Sequence, residues 1–158
     1  MILLFWILIL YGLRLGYSTI TSKFGYRNAP TSGASSYHGG IDIAAPANSN
    51  IVSSLSGIVT FTGFSGAGGY TVTIKSNNFA LSYCHVSPNF LVYVGQVVNQ
   101  GDIIATVGPK NVYGVANNPY KDSKGNPTNG ATTRSSFTFF HKERRQSRRS
   151  FKLFLLKI

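Results

Sequence analysis

Short segments of alternating apolar and polar residues, separated by glycine and asparagine turns, fill the middle of this 158-residue chain. The alternation is clearest in residues 57–63, Gly-Ile-Val-Thr-Phe-Thr-Gly, and 70–76, Tyr-Thr-Val-Thr-Ile-Lys-Ser. Residues 90–108 hold two further apolar segments, joined at Asn-Gln-Gly-Asp. A period of two residues is typical of strands with one buried face, and the chain is long enough for one domain with a core. The sequence therefore predicts one all-β domain with an antiparallel sheet over residues 17–133.

The two ends of the chain differ from this pattern. Residues 1–16 are mostly apolar, but the run is short for a membrane span and lacks the basic start of a secretory signal. Residues 134–158 form a basic tail with eight Lys and Arg against one Glu, and they carry most of the net charge of +11. We expect either a signal or anchor at residues 1–16 and membrane contact through one of the ends, or ends that are out of the reading frame. We expect no specific binding of nucleic acid.

Residues that can carry chemistry are few. The single cysteine, Cys84, excludes an internal disulfide, and its place in a strand favours a buried apolar role. Asp102 lies between two strands, where an aspartate is usually a turn residue. The histidines and acidic residues of the whole chain are His38, His85, His141, Asp42, Asp102, Asp122 and Glu143.

His38 and Asp42 stand four residues apart in Tyr-His-Gly-Gly-Ile-Asp-Ile-Ala-Ala-Pro. The two glycines between them let the chain bend, so that an imidazole and a carboxylate can converge on one metal ion. The spacing alone fits equally a glycine-rich turn with a surface histidine and a capping aspartate. His85 follows an alternating run and so lies at a strand end. It is either a structural residue or a general base beside a metal-bound water.

Five segments, taken in order and spacing, resemble the lysostaphin-type zinc metalloendopeptidases, which cleave peptidoglycan cross-bridges or stem peptides. The resemblance implies an antiparallel, barrel-sandwich-like β core with a groove. It also implies that His38 and Asp42 bind Zn²⁺, that His85 assists catalysis and that peptidoglycan is the partner. The domain would then work outside the cell or in the cell envelope. The segments are Thr-Ser-Lys-Phe-Gly-Tyr-Arg (21–27), Tyr-His-Gly-Gly-Ile-Asp-Ile-Ala-Ala-Pro (37–46), Gly-Ile-Val-Thr-Phe-Thr-Gly (57–63), Tyr-Cys-His-Val-Ser (83–87) and residues 94–108.

The resemblance ends after Asn-Gly-Ala-Thr-Thr at residues 129–133. The family continues with Gly-Pro-His-x-His-Phe, which supplies a second catalytic histidine and then the third zinc ligand. This chain has Arg-Ser-Ser-Phe-Thr-Phe at residues 134–139, and His141 lies beyond the expected position. The sequence therefore predicts an incomplete zinc site, with weak zinc binding and little or no hydrolysis. The alternative is a non-catalytic cell-wall-binding or regulatory module of the same fold.

A slip of one base accounts for the departure. Residues 134–139 can be encoded as AGG TCC TCA TTT ACA TTT, and omission of the first base gives codons for Gly-Pro-His-Leu-His-Phe. Synonymous codons leave much freedom, so this match establishes compatibility only. We hypothesise that residues 134–158, and similarly residues 1–16, are out of frame. Loss of the family's last strands would expose a sheet edge. Genomic reads with an unbroken frame and other codons would refute the hypothesis.

Overall fold

The structure is a computed structural model, and it describes residues 17, 19–29, 35–77, 79–133 and 136–143. Residues 1–16 and 144–158 lie outside the described residues. The signal or anchor, the membrane contact and the shifted frame proposed for these ends therefore stay predictions. In the part of the chain that is described, no helix is long and apolar enough to cross a bilayer.

Strands make up nearly all the regular structure of the described residues, with one turn of 3-10 helix at Gly66–Gly68. The strands are β1 (Ile20–Ser22), β2 (Gly25–Tyr26), β3 (Tyr37–His38), β4 (Gly40–Ala44), β5 (Asn50–Val52), β6 (Gly57–Phe64), β7 (Tyr70–Ser76), β8 (Phe79–Cys84), β9 (Val97–Val98), β10 (Ile103–Thr106) and β11 (Ser136–Glu143). The alternating segments of the sequence become β6 and β7, which pair antiparallel.

Seven strands form one antiparallel sheet in the order β1-β4-β11-β8-β7-β6-β9. β10 pairs with β5, and β2 pairs with β3, in two small antiparallel sheets. These observations confirm the predicted all-β, antiparallel fold. The groove is lined by Tyr37 and His38 of β3 together with residues of the large sheet.

The central strands separate an apolar core from a polar groove. Val72 of β7 pairs with Tyr83 of β8, and both are completely buried in the core. Their chain neighbours Thr73 and Ser82 also pair, and because successive side chains alternate between the faces, these two lie on the groove side. Their hydroxyl oxygens are 2.8 Å apart and share a hydrogen bond. The groove therefore has a floor of small polar side chains.

β11 lies in the middle of the large sheet, between β4 and β8. From the sequence, loss of the family's last strands would expose a sheet edge. Ser136–Glu143 pairs with both neighbours, so no edge is exposed between β4 and β8 in the described sheet. Residues 137, 139 and 140 are phenylalanine, which favours a strand whatever motif it replaces.

Replacement of Tyr83 by phenylalanine tests how the core is held. The Tyr83 hydroxyl accepts a hydrogen bond from the Ser54 N–H at 2.7 Å. Tyr83→Phe removes that acceptor from a buried donor, and the expected loss in the free energy of unfolding is about 1–3 kcal/mol. Tyr93→Phe is the control, because Tyr93 is 70% exposed, and it should change the free energy by less than about 0.5 kcal/mol. Urea unfolding measures both, and equal losses would contradict this account of the core.

Candidate functional site

His38 and Asp42, the predicted metal-binding pair, come together where β3 passes into β4. His38 ends β3 and Asp42 lies in the middle of β4, with Gly39 between the strands. The His38 Nε2 and Asp42 Oδ1 atoms are 3.2 Å apart. The bend that the glycines allow therefore brings an imidazole and a carboxylate to one point, while their role as metal ligands stays a prediction.

The other nitrogen of His38 is held by the backbone. Nδ1 lies 3.1 Å from the carbonyl oxygen of Lys23. A carbonyl only accepts hydrogen bonds, so Nδ1 of His38 carries a proton. Metal-binding histidines are commonly oriented by a bond of this kind. Nε2 then either carries a second proton, which it donates to Asp42, or offers its lone pair to a cation that Asp42 shares.

The Asp42 carboxylate is also engaged by groups of the chain itself. Arg27 donates from Nη1 to Oδ2 at 3.2 Å, and the Thr138 hydroxyl donates to Oδ1. Burial acts to raise the pKa of Asp42, but hydrogen bonds from His38, Thr138 and Arg27 outweigh it and lower the pKa below its usual value. The carboxylate is therefore ionised at neutral pH and already has donors around it.

Thr138 occupies the place on β11 where a third ligand would be needed. It pairs with Asp42 on one side and Cys84 on the other, and it is buried. His141 pairs with Leu81, three residues and thus about 10 Å further along the strand. In the described part of the chain, no group of three His, Cys, Asp or Glu residues converges.

These residues do not fit a complete catalytic zinc site. Such a site takes three protein ligands and keeps a further position for water. The described residues offer His38, Asp42 and a threonine hydroxyl whose proton is already donated to the carboxylate. The Arg27 guanidinium adds a positive charge at the same carboxylate, and this charge opposes the binding of a divalent cation.

His85 lies on the same groove as His38 and Asp42, and the groove has a volume of about 800 Å³. It follows the last residue of β8, in accord with its predicted place at a strand end. Its φ of 58° is left-handed, which is uncommon for a residue other than glycine. Burial lowers the pKa of His85, so its imidazole is neutral at neutral pH.

Cys84 and Asp102 have the structural roles that the sequence predicts. Cys84 is buried, and burial raises the pKa of its thiol to about 11, so no thiolate nucleophile forms there at neutral pH. Asp102 Oδ2 accepts a hydrogen bond from the Asn99 N–H at 2.7 Å in the turn before β10.

Three residues that contact the site are not among the residues predicted for it from the sequence, namely Arg27, Thr138 and Asn129, whose carbonyl oxygen lies 2.6 Å from His85 Nδ1. Arg27 ends the segment Thr-Ser-Lys-Phe-Gly-Tyr-Arg, and its N–H donates to the Ser36 carbonyl as the β2–β3 pairing continues. Its position in that segment could have identified it. Thr138 and Asn129 could not be found in this way, because their contacts depend on strand register and on the path of a long loop.

Known proteins resemble this chain in sequence and in fold. The profile described as Peptidase family M23 matches residues 36–119, which is more than half of the chain. A curated relative, the DD-carboxypeptidase/endopeptidase Mpg of Neisseria meningitidis, is 38% identical over 95 residues. That match covers 60% of this chain and 22% of Mpg, so the chain spans about a fifth of the length of this relative.

Two solved structures are similar in fold. A zinc-containing peptidase from Vibrio cholerae is 26% identical with a TM-score of 0.62, and the match covers 82% of this chain and 34% of that one. The catalytic domain of the antimicrobial peptidase lysostaphin from Staphylococcus simulans has a TM-score of 0.65 at 21% identity. It covers 86% of this chain and 88% of the lysostaphin domain, and at this identity it supports the fold alone.

Acidification tests the environment of His85. Because its pKa is lowered by folding, the unfolded chain takes up this proton first, at about pH 6.5. The stability contributed by neutral His85 is therefore present above about pH 6.5 and is lost as the pH falls below it. Urea unfolding should show a falling midpoint between about pH 7.5 and pH 5. His85→Asn does not titrate and tolerates a positive φ, so its midpoint should fall less, and parallel curves would contradict this.

Proposed function

The chain belongs to peptidase family M23, which confirms its resemblance to the lysostaphin-type enzymes. We propose that its β domain is a zinc metalloendopeptidase domain directed at the peptide cross-links of peptidoglycan. Hydrolysis is impaired in this chain, because one zinc ligand is replaced. The domain acts outside the cell or in the cell envelope, where peptidoglycan lies. We infer that Zn²⁺ would bind through His38 and Asp42 and that His85 would assist catalysis.

The substrate class is supported by the relatives and by the groove. Mpg is a DD-carboxypeptidase/endopeptidase. A groove of about 800 Å³ lies in the range that buries small ligands. Thr71, Thr73 and Ser82 line it with hydroxyl groups, which can donate to peptide carbonyls and accept from peptide amides.

Thr138 carries the proposal that activity is impaired. Its backbone pairs with Asp42, and its hydroxyl donates to the carboxylate that would hold the metal. The family places its third ligand in the His-x-His motif that this part of the chain lacks. A metal held by two protein ligands lacks the fixed geometry that makes a bound water both acidic and well placed. We therefore derive no hydrolytic step through zinc in this chain.

The residues of the chain can still perform parts of the reaction. A zinc ion, when bound, would polarise a carbonyl and acidify a water. The groove holds the peptide and excludes part of the solvent. His85 is neutral, and its Nε2 has no hydrogen-bond partner among the described residues. That nitrogen can accept a proton from a group in the groove and return it to a leaving amine.

A non-catalytic cell-wall-binding module is the second candidate function. The observation in its favour is that the groove persists while Asp42 is satisfied by Arg27, Thr138 and His38. A module of this kind needs the groove to recognise peptidoglycan but needs no metal. His38→Ala should then leave binding to peptidoglycan unchanged.

Restoration of the family motif tests the proposed function. Full-length native chain and the double variant Ser136→His, Thr138→His are incubated with Zn²⁺ and a peptidoglycan suspension, and the fall in turbidity and the released peptides are measured. The native chain should release little. The double variant should be faster by about 100-fold or more, the scale of one lost transition-state interaction. Thr138→Val keeps the side-chain shape without the hydroxyl and should gain nothing.

The outcomes separate the two candidates. Native hydrolysis as fast as that of the double variant would show that activity is not impaired. Co-sedimentation of the native chain with peptidoglycan, no hydrolysis by any variant and unchanged binding by His38→Ala would favour the binding module. A folded chain that neither binds nor cleaves peptidoglycan would contradict both candidates.

A further inference from the structure

Asn129 is a buried polar residue outside the His38–Asp42 pair, and its relative exposure is 0%. Both ends of its side-chain amide are used. Oδ1 accepts a hydrogen bond from the Tyr70 N–H at 2.8 Å, and Nδ2 donates to the Val86 carbonyl at 2.9 Å. Tyr70 begins β7, and Val86 lies two residues beyond the end of β8. One side chain therefore connects the loop that carries it to both central strands.

The backbone of Asn129 holds the ring of His85. The Asn129 carbonyl oxygen lies 2.6 Å from His85 Nδ1, in a buried hydrogen bond. The His85 backbone is fixed on both sides, because its N–H donates to the Gly68 carbonyl at 2.8 Å and its carbonyl accepts from the Gly108 N–H at 2.9 Å. The uncommon positive φ of His85 is thus held by three hydrogen bonds.

Two neighbouring positions leave room only for glycine. A Cβ on Gly69 would stand 2.3 Å from Asn129 Oδ1, and a Cβ on Gly108 would stand 2.5 Å from Asn129 Nδ2. Both separations are far below ordinary contact, so the backbone packs directly against the amide. The fit is specific to this amide, because both of its polar ends meet a backbone partner at hydrogen-bond distance.

We propose that Asn129 is a positioning residue that fixes His85 as its Nδ1–H tautomer and so leaves Nε2 as the proton acceptor that faces the groove. A carbonyl oxygen can only accept, so Nδ1 must carry the proton. In the neutral ring Nε2 then has the free lone pair. The other tautomer would place an N–H on the groove side and could not accept a proton there. The use of Nε2 in proton transfer rests on the proposed function, whereas the tautomer does not.

The two hydrogen bonds of the Asn129 side-chain amide hold the Asn129 carbonyl in position beside the His85 ring. Asn129 lies in a loop far along the chain from His85, at a sequence separation of 44 residues. Without the two side-chain hydrogen bonds to Tyr70 and Val86, fewer contacts hold this loop segment against the strands. The Asn129 carbonyl would then move relative to the ring. A neutral imidazole released from it can populate both tautomers.

Nitrogen NMR of the full-length chain, labelled with ¹⁵N histidine, tests this assignment at about pH 7.5. The chain has three histidines, and comparison with His85→Asn identifies the His85 ring signals. The native chain should show His85 as the Nδ1–H form alone. Asn129→Ala removes both side-chain hydrogen bonds and should give a mixture of the two His85 tautomers. The readout needs neither bound zinc nor hydrolysis, so it can fail or succeed independently of the proposed function.

Asn118→Ala is the matched control. Asn118 lies in the same loop, and its Nδ2 donates to the Thr128 carbonyl at 2.8 Å without contact to His85. This variant should lose stability and yet keep the single tautomer. If Asn129 had only a structural role, Asn129→Ala and Asn118→Ala would have the same effect on the tautomer. Should Asn129→Ala fail to fold, Asn129→Asp keeps the acceptor for Tyr70 and places a carboxylate oxygen where the donor to Val86 stood. A native Nε2–H form, or an unchanged tautomer in a folded Asn129 variant, would overturn the proposal.

Discussion

The pairing of β11 with both β4 and β8 is the constraint on which the candidate site depends. β4 carries Asp42, and the end of β8 leads into His85. In the described sheet these two strands are joined only through β11. Because Thr138 has a partner on either side, the same register that closes the sheet sets it beside Asp42 on β4 and Cys84 on β8. The fold and the composition of the site are therefore decided by one strand.

The partly buried Asp42 carboxylate explains why this composition matters. A charge removed from water must be compensated by hydrogen bonds or opposite charges. Three elements supply them here, with Arg27 after β2, His38 at the end of β3 and Thr138 on β11. A metal ion would have to displace or share these donors. The carboxylate that the family resemblance assigns to zinc therefore already has Arg27 and Thr138 as hydrogen-bond donors, and the proposed impairment rests on the absence, among the residues that the structure describes, of a third ligand beside it.

The sequence predicts those features that depend on local chemistry. The alternation at residues 57–63 and 70–76 predicts β6 and β7, because a half-buried strand requires that period. The His38–Asp42 contact is also local, because the two residues stand four positions apart and two glycines between them let the chain bend. The contact between Thr138 and Asp42 spans 96 residues, and no local pattern fixes such a register.

The strand at residues 136–143 shows a second limit. The altered motif left open whether a strand forms there, because strand formation follows residue preference and neighbouring partners rather than the motif. Residues 137, 139 and 140 are phenylalanine, which favours a strand. The segment pairs with β4 on one side and with β8 on the other. The motif carries the chemistry, whereas the strand needs only compatible side chains. Asn129 was missed because its partners lie on other elements, with His85 44 residues away.

Thr138 stands beside Asp42 and gives the His38–Asp42 pair a hydroxyl donor in place of a third metal ligand. The most direct test is the zinc content of the folded, full-length chain after equilibration with buffered Zn²⁺ at about pH 7.5, measured by native mass spectrometry beside Thr138→His. We expect much less than one zinc per native chain and close to one per Thr138→His chain, because the histidine supplies the third ligand. A native chain that holds one zinc tightly, with no gain in the variant, would contradict this expectation.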